Sequence, residues 1–189
     1  EIWLGCAQEP REFTGITGGL AILRPMPDGT FTVELRLPPV VPFRNWSLRE
    51  SPKGDVVVGG MGLVSMTDRG YRALPAPPVL QNKWIDQIAF DREGWIWAAA
   101  WSDGVFRQTA QGWEGGPASN RAFEYPASFI LPLRSGDMVM ATPKGFFFFF
   151  SGRWAPWLAG TEGLYRGSGE MIEGRQQAVW VNRTHVDWY

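Results

Sequence analysis

Acid–base, nucleophilic or metal chemistry would require histidines, cysteines or paired carboxylates, and no such set is evident in this chain of 189 residues. The chain has one histidine, His185, and one cysteine, Cys6. This excludes a multi-histidine metal site, a multi-cysteine zinc site and an internal disulfide. No phosphate-binding loop or dinucleotide-binding fingerprint occurs, so we predict no catalytic residue, no metal site and no cofactor. The carboxylates at expected turns are explained by hydrogen bonds to the backbone: Asp86, Asp91, Asp103 and Asp137.

Aromatic residues at the expected start of each innermost strand are the better candidates for function. Flat apolar rings with polar neighbours are what a small molecule, a glycan or a peptide ligand would contact. The same rings could instead fill the space between neighbouring sheets, and the sequence leaves both alternatives open. The predicted ligand-binding residues are Trp46, Trp84, Tyr125 and Tyr165, with Arg44, Lys83 and Asp86 beside them.

A repeat of about 41 residues positions these side chains. Three columns of glycine mark the repeat, because tight hairpin turns need the positive φ that glycine adopts without strain. The first column precedes an apolar strand and contains Gly54, Gly94, Gly136 and Gly174, at spacings of 40, 42 and 38 residues. The second begins the next strand and contains Gly19, Gly62, Gly104 and Gly145, at spacings of 43, 42 and 41. The third lies in a polar turn and contains Gly29, Gly70, Gly112 and Gly152, at spacings of 41, 42 and 40.

Strands between these turns predict an all-β fold in which each repeat forms a four-stranded antiparallel blade of a β-propeller. We expect a single propeller domain over residues 1–189 with about 4.5 blades, forming part of a larger propeller. The first and last blades are expected to be incomplete, so that further blades or another copy of the chain would complete the ring. The predicted blades span residues 1–37 (partial), 44–74, 83–114, 124–157 and 164–189 (partial).

Two segments depart from a uniform repeat. An insertion in the first blade, residues 6–18, would form a protruding loop that either binds a ligand or is merely tolerated at the surface. The run of five phenylalanines at residues 146–150 is expected to be a buried strand, because alternation sends successive rings to opposite faces of a blade that is covered on both sides. Membrane insertion or self-association of this run is the alternative.

Charge and hydropathy argue against nucleic-acid and membrane partners. The 18 basic and 19 acidic residues give a formal net charge of -1 and form no long runs, so the sequence has no electrostatic footprint for nucleic acid. No stretch approaches the roughly 18 consecutive apolar residues that a membrane-spanning helix needs. We therefore predict no nucleic-acid partner and no direct membrane insertion by this segment.

The third repeat resembles the two-component regulator propeller repeat. That family's pattern runs from an apolar strand through Asp, two residues, Gly and an apolar–Trp strand to a Gly–Leu–aromatic–Arg turn. The matching residues are Ile88-Ala89-Phe90-Asp91-Arg92-Glu93-Gly94-Trp95-Ile96-Trp97, followed by Gly104-Val105-Phe106-Arg107. Weaker echoes are Ile2-Trp3-Leu4-Gly5 and Gly19-Leu20 followed by Arg24.

The resemblance implies a function that the residues alone do not. Such repeats are typical of the periplasmic or extracellular sensor part of bacterial membrane receptors, whose cytoplasmic output is a histidine kinase or a diguanylate cyclase. The expected function is therefore a noncatalytic, ligand-binding sensor propeller. One alternative is a propeller enzyme of the streptogramin-lyase type, which shares the Asp-x-x-Gly-x-x-Trp pattern of Asp91 to Trp97, although the single histidine counts against it. A protein-interaction scaffold is the other alternative.

Overall fold

Strands separated by short turns make up most of the described residues. The computed structural model describes residues 2–6, 19–36, 47–67, 70–81, 83–100, 103–115, 129–142, 144–157, 169–174 and 179–183. The chain divides into two compact units, Glu1–Ile85 and Asp86–Tyr189. Within the described residues, no helix is long and apolar enough to cross a bilayer.

The first unit contains two antiparallel sheets in which every strand pairs with the next one along the chain. Blade 1 is three-stranded and consists of β1 (Ile2–Cys6), β2 (Gly19–Pro25) and β3 (Phe31–Arg36). Blade 2 is four-stranded and consists of β4 (Ser47–Glu50), β5 (Val56–Gly60), β6 (Gly62–Thr67) and β7 (Gly70–Leu74). A single 3-10 turn, Pro78–Leu80, follows blade 2.

The second unit contains three antiparallel sheets of the same kind. Blade 3 consists of β8 (Gln87–Phe90), β9 (Ile96–Ala100), β10 (Gly104–Thr109) and β11 (Gly112–Gly115). Blade 4 consists of β12 (Phe129–Pro132), β13 (Met138–Thr142), β14 (Gly145–Phe150) and β15 (Arg153–Pro156). Blade 5 is described as the pair β16 (Gly169–Glu173) and β17 (Val179–Arg183). The predicted all-β class and the four-stranded antiparallel blade are confirmed, while the predicted domain boundaries stay a prediction.

The first glycine column lies in a turn that recurs between the first two strands of blades 2, 3 and 4. In blade 2, the amide of Ser51 donates to the carbonyl of Asp55 at 2.7 Å, and the amide of Gly54 donates to the carbonyl of Ser51 at 2.9 Å. The same two bonds close the turns that begin at Asp91 and Leu133. The fourth residue has positive φ each time, which explains the column of Gly54, Gly94 and Gly136.

The turn between β2 and β3 is of this same type, which the sequence did not predict. The amide of Met26 donates to the carbonyl of Thr30, as the amide of Ser51 does to that of Asp55. The Asp28 carboxylate accepts hydrogen bonds from both the hydroxyl and the amide of Thr30. These bonds lower the pKa of the Asp28 carboxyl. By contrast, two-residue loops join the third and fourth strands of blades 2, 3 and 4. Gly29 therefore has a turn of different geometry from the other members of its column.

Packing between successive sheets buries the second strand of each four-stranded blade completely. Every residue of β5, β9 and β13 is buried, as expected for strands covered on both faces. In the first unit, Leu20 of β2 packs in one cluster with Val58 of β5 and Val64 of β6. In the second unit, one cluster joins blades 3 and 4, and another joins blade 4 to Met171 of β16.

The five phenylalanines of β14 alternate as predicted, but their burial declines along the strand. Phe147 and Phe149 pack towards blade 3, whereas Phe146 and Phe148 pack towards blade 5. Phe146 and Phe147 are buried, the next two are half-buried, and Phe150 is 59% exposed. The expectation of a strand covered on both faces is therefore correct at its beginning and wrong at its end, where nothing in the described residues covers Phe150.

Two glycines of β11 provide a matched test of the register between β10 and β11. Both have positive φ, +114 at Gly115 and +127 at Gly112, so alanine at either position costs about 1–3 kcal/mol of backbone strain. A Cβ at Gly115 would also lie 2.4 Å from the carbonyl oxygen of Val105, whereas a Cβ at Gly112 meets nothing within 4 Å. Urea denaturation should show a larger loss of unfolding free energy for Gly115→Ala than for Gly112→Ala. Equal losses would contradict this register.

Candidate functional site

The structure describes three of the seven predicted ligand-binding residues. Lys83 and Trp84 lie at the end of the first unit, and Asp86 begins the second. The other four predicted residues lie outside the described residues: Arg44, Trp46, Tyr125 and Tyr165. His185 and most of the residues 6–18 insertion also lie outside them.

Trp84 is presented to solvent from a backbone that is held firmly in place. Trp84 forms an isolated antiparallel bridge with Met61, and the amide of Ile85 donates to the carbonyl of Gly60 at 2.8 Å. Leu80 and Ile85, on either side of this segment, are fully buried. The Trp84 side chain itself remains 38% exposed, and Lys83 beside it is exposed. This segment therefore carries an exposed aromatic side chain and an exposed lysine beside a backbone that is hydrogen-bonded in place.

Asp86 holds the start of β8 against the neighbouring strand. Its amide donates to the carbonyl of Ala99 at 2.9 Å, and its side chain is half-buried. One residue further on, the buried Gln87 side chain accepts a hydrogen bond from the amide of Ile130 at 2.6 Å. This bond links β8 of blade 3 to β12 of blade 4, so the start of β8 is fixed by polar as well as apolar contacts.

The carboxylate of Asp91 accepts hydrogen bonds from three other residues of blade 3. Asp91 is 7% exposed and follows the last residue of β8. Its Oδ1 accepts the amide of Trp95 at 2.8 Å, and its Oδ2 accepts the indole Nε1 of Trp97 at 3.0 Å. The Nε and Nη2 of Arg107 donate to the same Oδ2 at 3.0 and 2.9 Å. The carboxylate therefore has four donors within the protein.

Trp97 connects this polar cluster to the next blade. The guanidinium carbon of Arg107 lies 5.5 Å from the centre of the Trp97 ring, within range of a cation–π contact. Two rings of blade 4 pack against the Trp97 ring in T-shaped geometry. The centroid distance is 4.8 Å to Phe149 and 5.8 Å to Trp154. The Asp91 carboxylate thus fixes the orientation of the ring that packs blade 3 against blade 4.

The arrangement around Asp91 suits a structural role and not proton transfer. A general base needs a free lone pair directed at a substrate, whereas both Asp91 oxygens are engaged by protein donors. The Arg107 guanidinium, with further ion pairs to Glu93 and Glu114 at 3.5 and 3.9 Å, neutralises the buried charge. The sequence correctly predicted the backbone hydrogen bond of Asp91 but missed its Trp97 and Arg107 partners, although all three residues belong to the repeat pattern.

Blades 4 and 2 place other residues at the three equivalent positions. The three positions are the first residue of the turn, the second residue of the blade's second strand, and the third-strand residue that pairs with that second-strand residue. In blade 4 the set is apolar and packs against the buried cluster shared with blade 5: Leu133, Val139 and Phe148. In blade 2 the set is small: Ser51, Val57 and Ser65. The carboxylate, the indole and the guanidinium are therefore all absent from these positions in blades 2 and 4.

A second carboxylate joins blades 4 and 5. Glu173, at the end of β16, has a side chain that is 8% exposed, and its Oε2 accepts the amide of Arg134 at 2.7 Å. Asp103 and Asp137 lie in turns, as predicted, and Asp137 accepts the Ser135 hydroxyl at 2.7 Å. Among the described residues, no three His, Cys, Asp or Glu side chains are grouped closely enough to hold a metal ion.

Solved structures identify the fold that these sheets build. No protein-family model and no curated protein matches the chain. The chain is similar to the extracellular domain assigned to the one component system BT4673 from B. thetaiotaomicron, with a TM-score of 0.65 and 12% identity over 89% of this chain and 24% of that one. It is also similar to the extracellular domain assigned to the hybrid two component system BT3049 from B. thetaiotaomicron, with a TM-score of 0.58 and 18% identity over 87% of this chain and 22% of that one.

A third similar structure is an enzyme. Virginiamycin B lyase from Staphylococcus aureus matches with a TM-score of 0.58 and 15% identity, over 96% of this chain and 67% of that one. At these identities the likeness shows a shared fold, and the predicted β-propeller is confirmed. The chain spans less than a quarter of the length of the two extracellular domains that it matches. The chain therefore has a β-propeller fold.

The Asp91 cluster makes a direct stability prediction. Asp91→Asn removes the charge that accepts from Trp97 and Arg107 and leaves the Arg107 guanidinium, which is 26% exposed, without its main partner. Breaking a buried pair in this way costs about 3 kcal/mol. Asp137→Asn is the matched control, because this turn aspartate bonds to an exposed serine, and its loss should cost less than about 1 kcal/mol. Urea denaturation of both variants checks this, and losses of equal size would contradict the structural role of Asp91.

Proposed function

We propose that this chain is a noncatalytic sensor propeller belonging to a bacterial signalling receptor. The observation that carries the proposal is the shared fold with two extracellular domains assigned to one-component and two-component systems. The repeat at Ile88 to Arg107, which resembles the two-component regulator propeller repeat, supports the same assignment from the sequence. The first argument uses backbone geometry and the second uses side-chain identity.

The use of polar side chains in the described residues supports a noncatalytic role. The Asp91 carboxylate accepts hydrogen bonds from the Trp95 amide at Oδ1 and from Trp97 and Arg107 at Oδ2, and Glu173 accepts the amide of Arg134. The side-chain oxygen of Gln87 accepts a hydrogen bond from the amide of Ile130. These groups hold sheets together, and none is both buried in a cleft and directed at an open position, as an acid or base would be.

Ligand contact is proposed at Trp84 and Lys83. An indole ring that is 38% exposed on a hydrogen-bonded backbone offers a flat apolar surface at small entropic cost, and the exposed Lys83 beside it adds a positive charge. This combination fits a glycan, a peptide or a small polar ligand. Asp86, and the four predicted residues outside the described part of the chain, remain predicted contributors: Arg44, Trp46, Tyr125 and Tyr165.

The proposed location is the periplasm or the cell exterior, as part of a membrane-anchored receptor. The output domain, by the same resemblance, is a histidine kinase or a diguanylate cyclase in the cytoplasm. Ligand contact on one face of the propeller would change how receptor subunits associate, which is the way such a module passes a signal without doing chemistry.

A lyase of the streptogramin type is the second candidate, favoured by the virginiamycin B lyase match, which covers 67% of that enzyme. The full-length protein that contains this chain is called the parent protein below. Incubation of the parent protein with a streptogramin B antibiotic, followed by mass spectrometry, separates the two proposals. We expect the cyclic antibiotic to remain unchanged in ring connectivity. Enzyme-dependent ring opening would overturn the noncatalytic assignment.

The proposed location can be tested with reporters placed after Tyr189 in the otherwise intact parent protein. Alkaline phosphatase folds to an active enzyme outside the cytoplasm, where its disulfides form, and β-galactosidase is active inside. We expect the phosphatase fusion to be active and the β-galactosidase fusion to be inactive. The reverse pattern would exclude an extracytoplasmic sensor.

The proposed ligand contact can be tested by comparing two exposed aromatic residues of the first unit. Trp84→Ala in the parent receptor should abolish, or reduce about tenfold, the transcriptional response to whichever pool of oligosaccharides or peptides activates the wild type. Tyr71→Ala is the control, since Tyr71 is 46% exposed on β7 and belongs to no predicted site. An unchanged response of the Trp84 variant, with protein levels equal to wild type, would remove Trp84 from the site.

A further inference from the structure

The last strand of blade 1, β3, is an open sheet edge. It pairs with β2 on one side, and among the described strands none pairs with its other side. Its side chains are well exposed: Phe31 is 51% exposed, Val33 is 62% exposed, and Thr32 between them is also exposed. An extended strand that directs backbone N–H and C=O groups outward is a template for pairing with another strand.

The ladder between β2 and β3 shows which backbone groups point away from the sheet. At its start, the amide of Met26 donates to the carbonyl of Thr30 at 2.8 Å. Hydrogen-bonded and non-hydrogen-bonded pairs alternate along an antiparallel ladder, so the next pair, Pro25 with Phe31, is a non-hydrogen-bonded one. The missing N–H of Pro25 agrees with this assignment. The N–H and C=O groups of alternate residues of β3 are therefore directed away from β2: Phe31, Val33 and Leu35.

The corresponding end strands of the other blades are shorter or interrupted. β3 has six residues, whereas β7 has five and β11 and β15 have four each. β7 and β11 each begin with a glycine of positive φ. In β15, the amide of Trp157 donates to the carbonyl of Phe146, so that Pro156 faces outward and has no N–H to donate. β3 contains neither glycine nor proline, and it is the longest end strand in the described structure.

β3 complements itself in an antiparallel register centred on Val33. A two-fold axis at this residue places its outward N–H and C=O opposite those of Val33 in a second copy, so the two residues form a hydrogen-bonded pair. Their apolar side chains meet on one face of the joined sheet. On the other face, Thr32 lies opposite Glu34 of the second copy, where its hydroxyl can donate to the carboxylate. Arg24 of β2 balances the charge of Glu34 within each copy.

The neighbouring register is unfavourable for two reasons. An axis centred on Glu34 would place two carboxylates directly opposite each other, and like charges at such positions are destabilising. It would also turn towards the second copy the backbone groups that already bond to β2. The sequence and the ladder therefore select the same register.

We propose that β3 is a homodimerisation edge, at which two copies of the chain pair through β3 to form one continuous antiparallel sheet. The contact uses the edge of blade 1 and leaves the two faces of the sheet available to neighbouring blades. It is isologous, because the same strand is supplied by both copies. The proposal does not depend on the sensor function, for which it would supply one contact between receptor subunits.

Disulfide trapping in the native parent protein tests the proposed pairing. Two hydrogen-bonded residues of an antiparallel pair have Cα atoms about 5.5 Å apart, which suits a disulfide. Under mild oxidation we expect Val33→Cys to form a covalent dimer about tenfold faster than Ala73→Cys, an exposed residue of the end strand β7. The unsubstituted parent protein controls for native thiols such as Cys6.

Glu34→Cys tests the register. In the proposed pairing Glu34 and its copy are diagonal neighbours about 7–8 Å apart, which is too far for an unstrained disulfide. We therefore expect Glu34→Cys to cross-link much more slowly than Val33→Cys. Cross-linking of Val33→Cys no faster than that of Ala73→Cys would overturn the proposal, and so would equal rates for Val33→Cys and Glu34→Cys.

Hydrogen exchange resolved to single amides gives a readout that needs no substitution. The amide of Thr32 bonds within the sheet, whereas that of Val33 points outward and is protected only if another strand covers the edge. We expect both amides to be protected in the native parent protein. Exchange of the Val33 amide at nearly its unfolded rate, with Thr32 protected, would contradict the pairing. Protection of Val33 without cross-linking of Val33→Cys would assign the edge to another segment and overturn the homodimer.

Discussion

Apolar packing of one sheet against the next is the interaction on which the rest of this structure depends. The strands β5, β9 and β13 are buried along their whole length. A blade separated from its neighbours would expose this apolar strand to water and would not remain folded. Each of these sheets presents apolar side chains on both faces, and the glycines at Gly54, Gly94 and Gly136 are needed because the turns between the strands require a positive φ. Some polar side chains reinforce this packing: the amide of Ile130 donates to Gln87, and the amide of Arg134 donates to Glu173.

The same geometric problem is solved with different chemistry in successive blades. Blade 3 orients the interface ring of Trp97 with a buried carboxylate and a guanidinium, whereas blade 4 fills the equivalent positions with Leu133, Val139 and Phe148. A buried Asp is unfavourable without such partners. The acid, the indole and the guanidinium therefore stand together in blade 3, and the equivalent positions of blades 2 and 4 hold none of the three.

The four-stranded blade could be predicted from the sequence because the signals for its turns and strands are local and periodic. Gly54, Gly94 and Gly136 are required by a turn whose hydrogen bonds lie within five residues, and this requirement is visible in spacing alone. The partners of Asp91 were missed because Arg107 is 16 residues away and is brought close only by the pairing of β9 with β10. The exposure of Phe150 was missed because alternation predicts which way a ring points but not whether a neighbour reaches it. For the ligand site, the sequence indicated aromatic residues, of which the structure describes Trp84 alone.

We propose that the propeller fold serves as a receptor module and not as an enzyme. The shared fold with extracellular domains of bacterial signalling systems and the structural engagement of Asp91, Glu173 and Gln87 both support it. The most direct test is to determine the complete reading frame and the intact mass of the parent protein. The account predicts further blades, a membrane-spanning segment and a kinase or cyclase domain. A mature protein that consists of a single closed propeller, with no membrane span and no output domain, would contradict it.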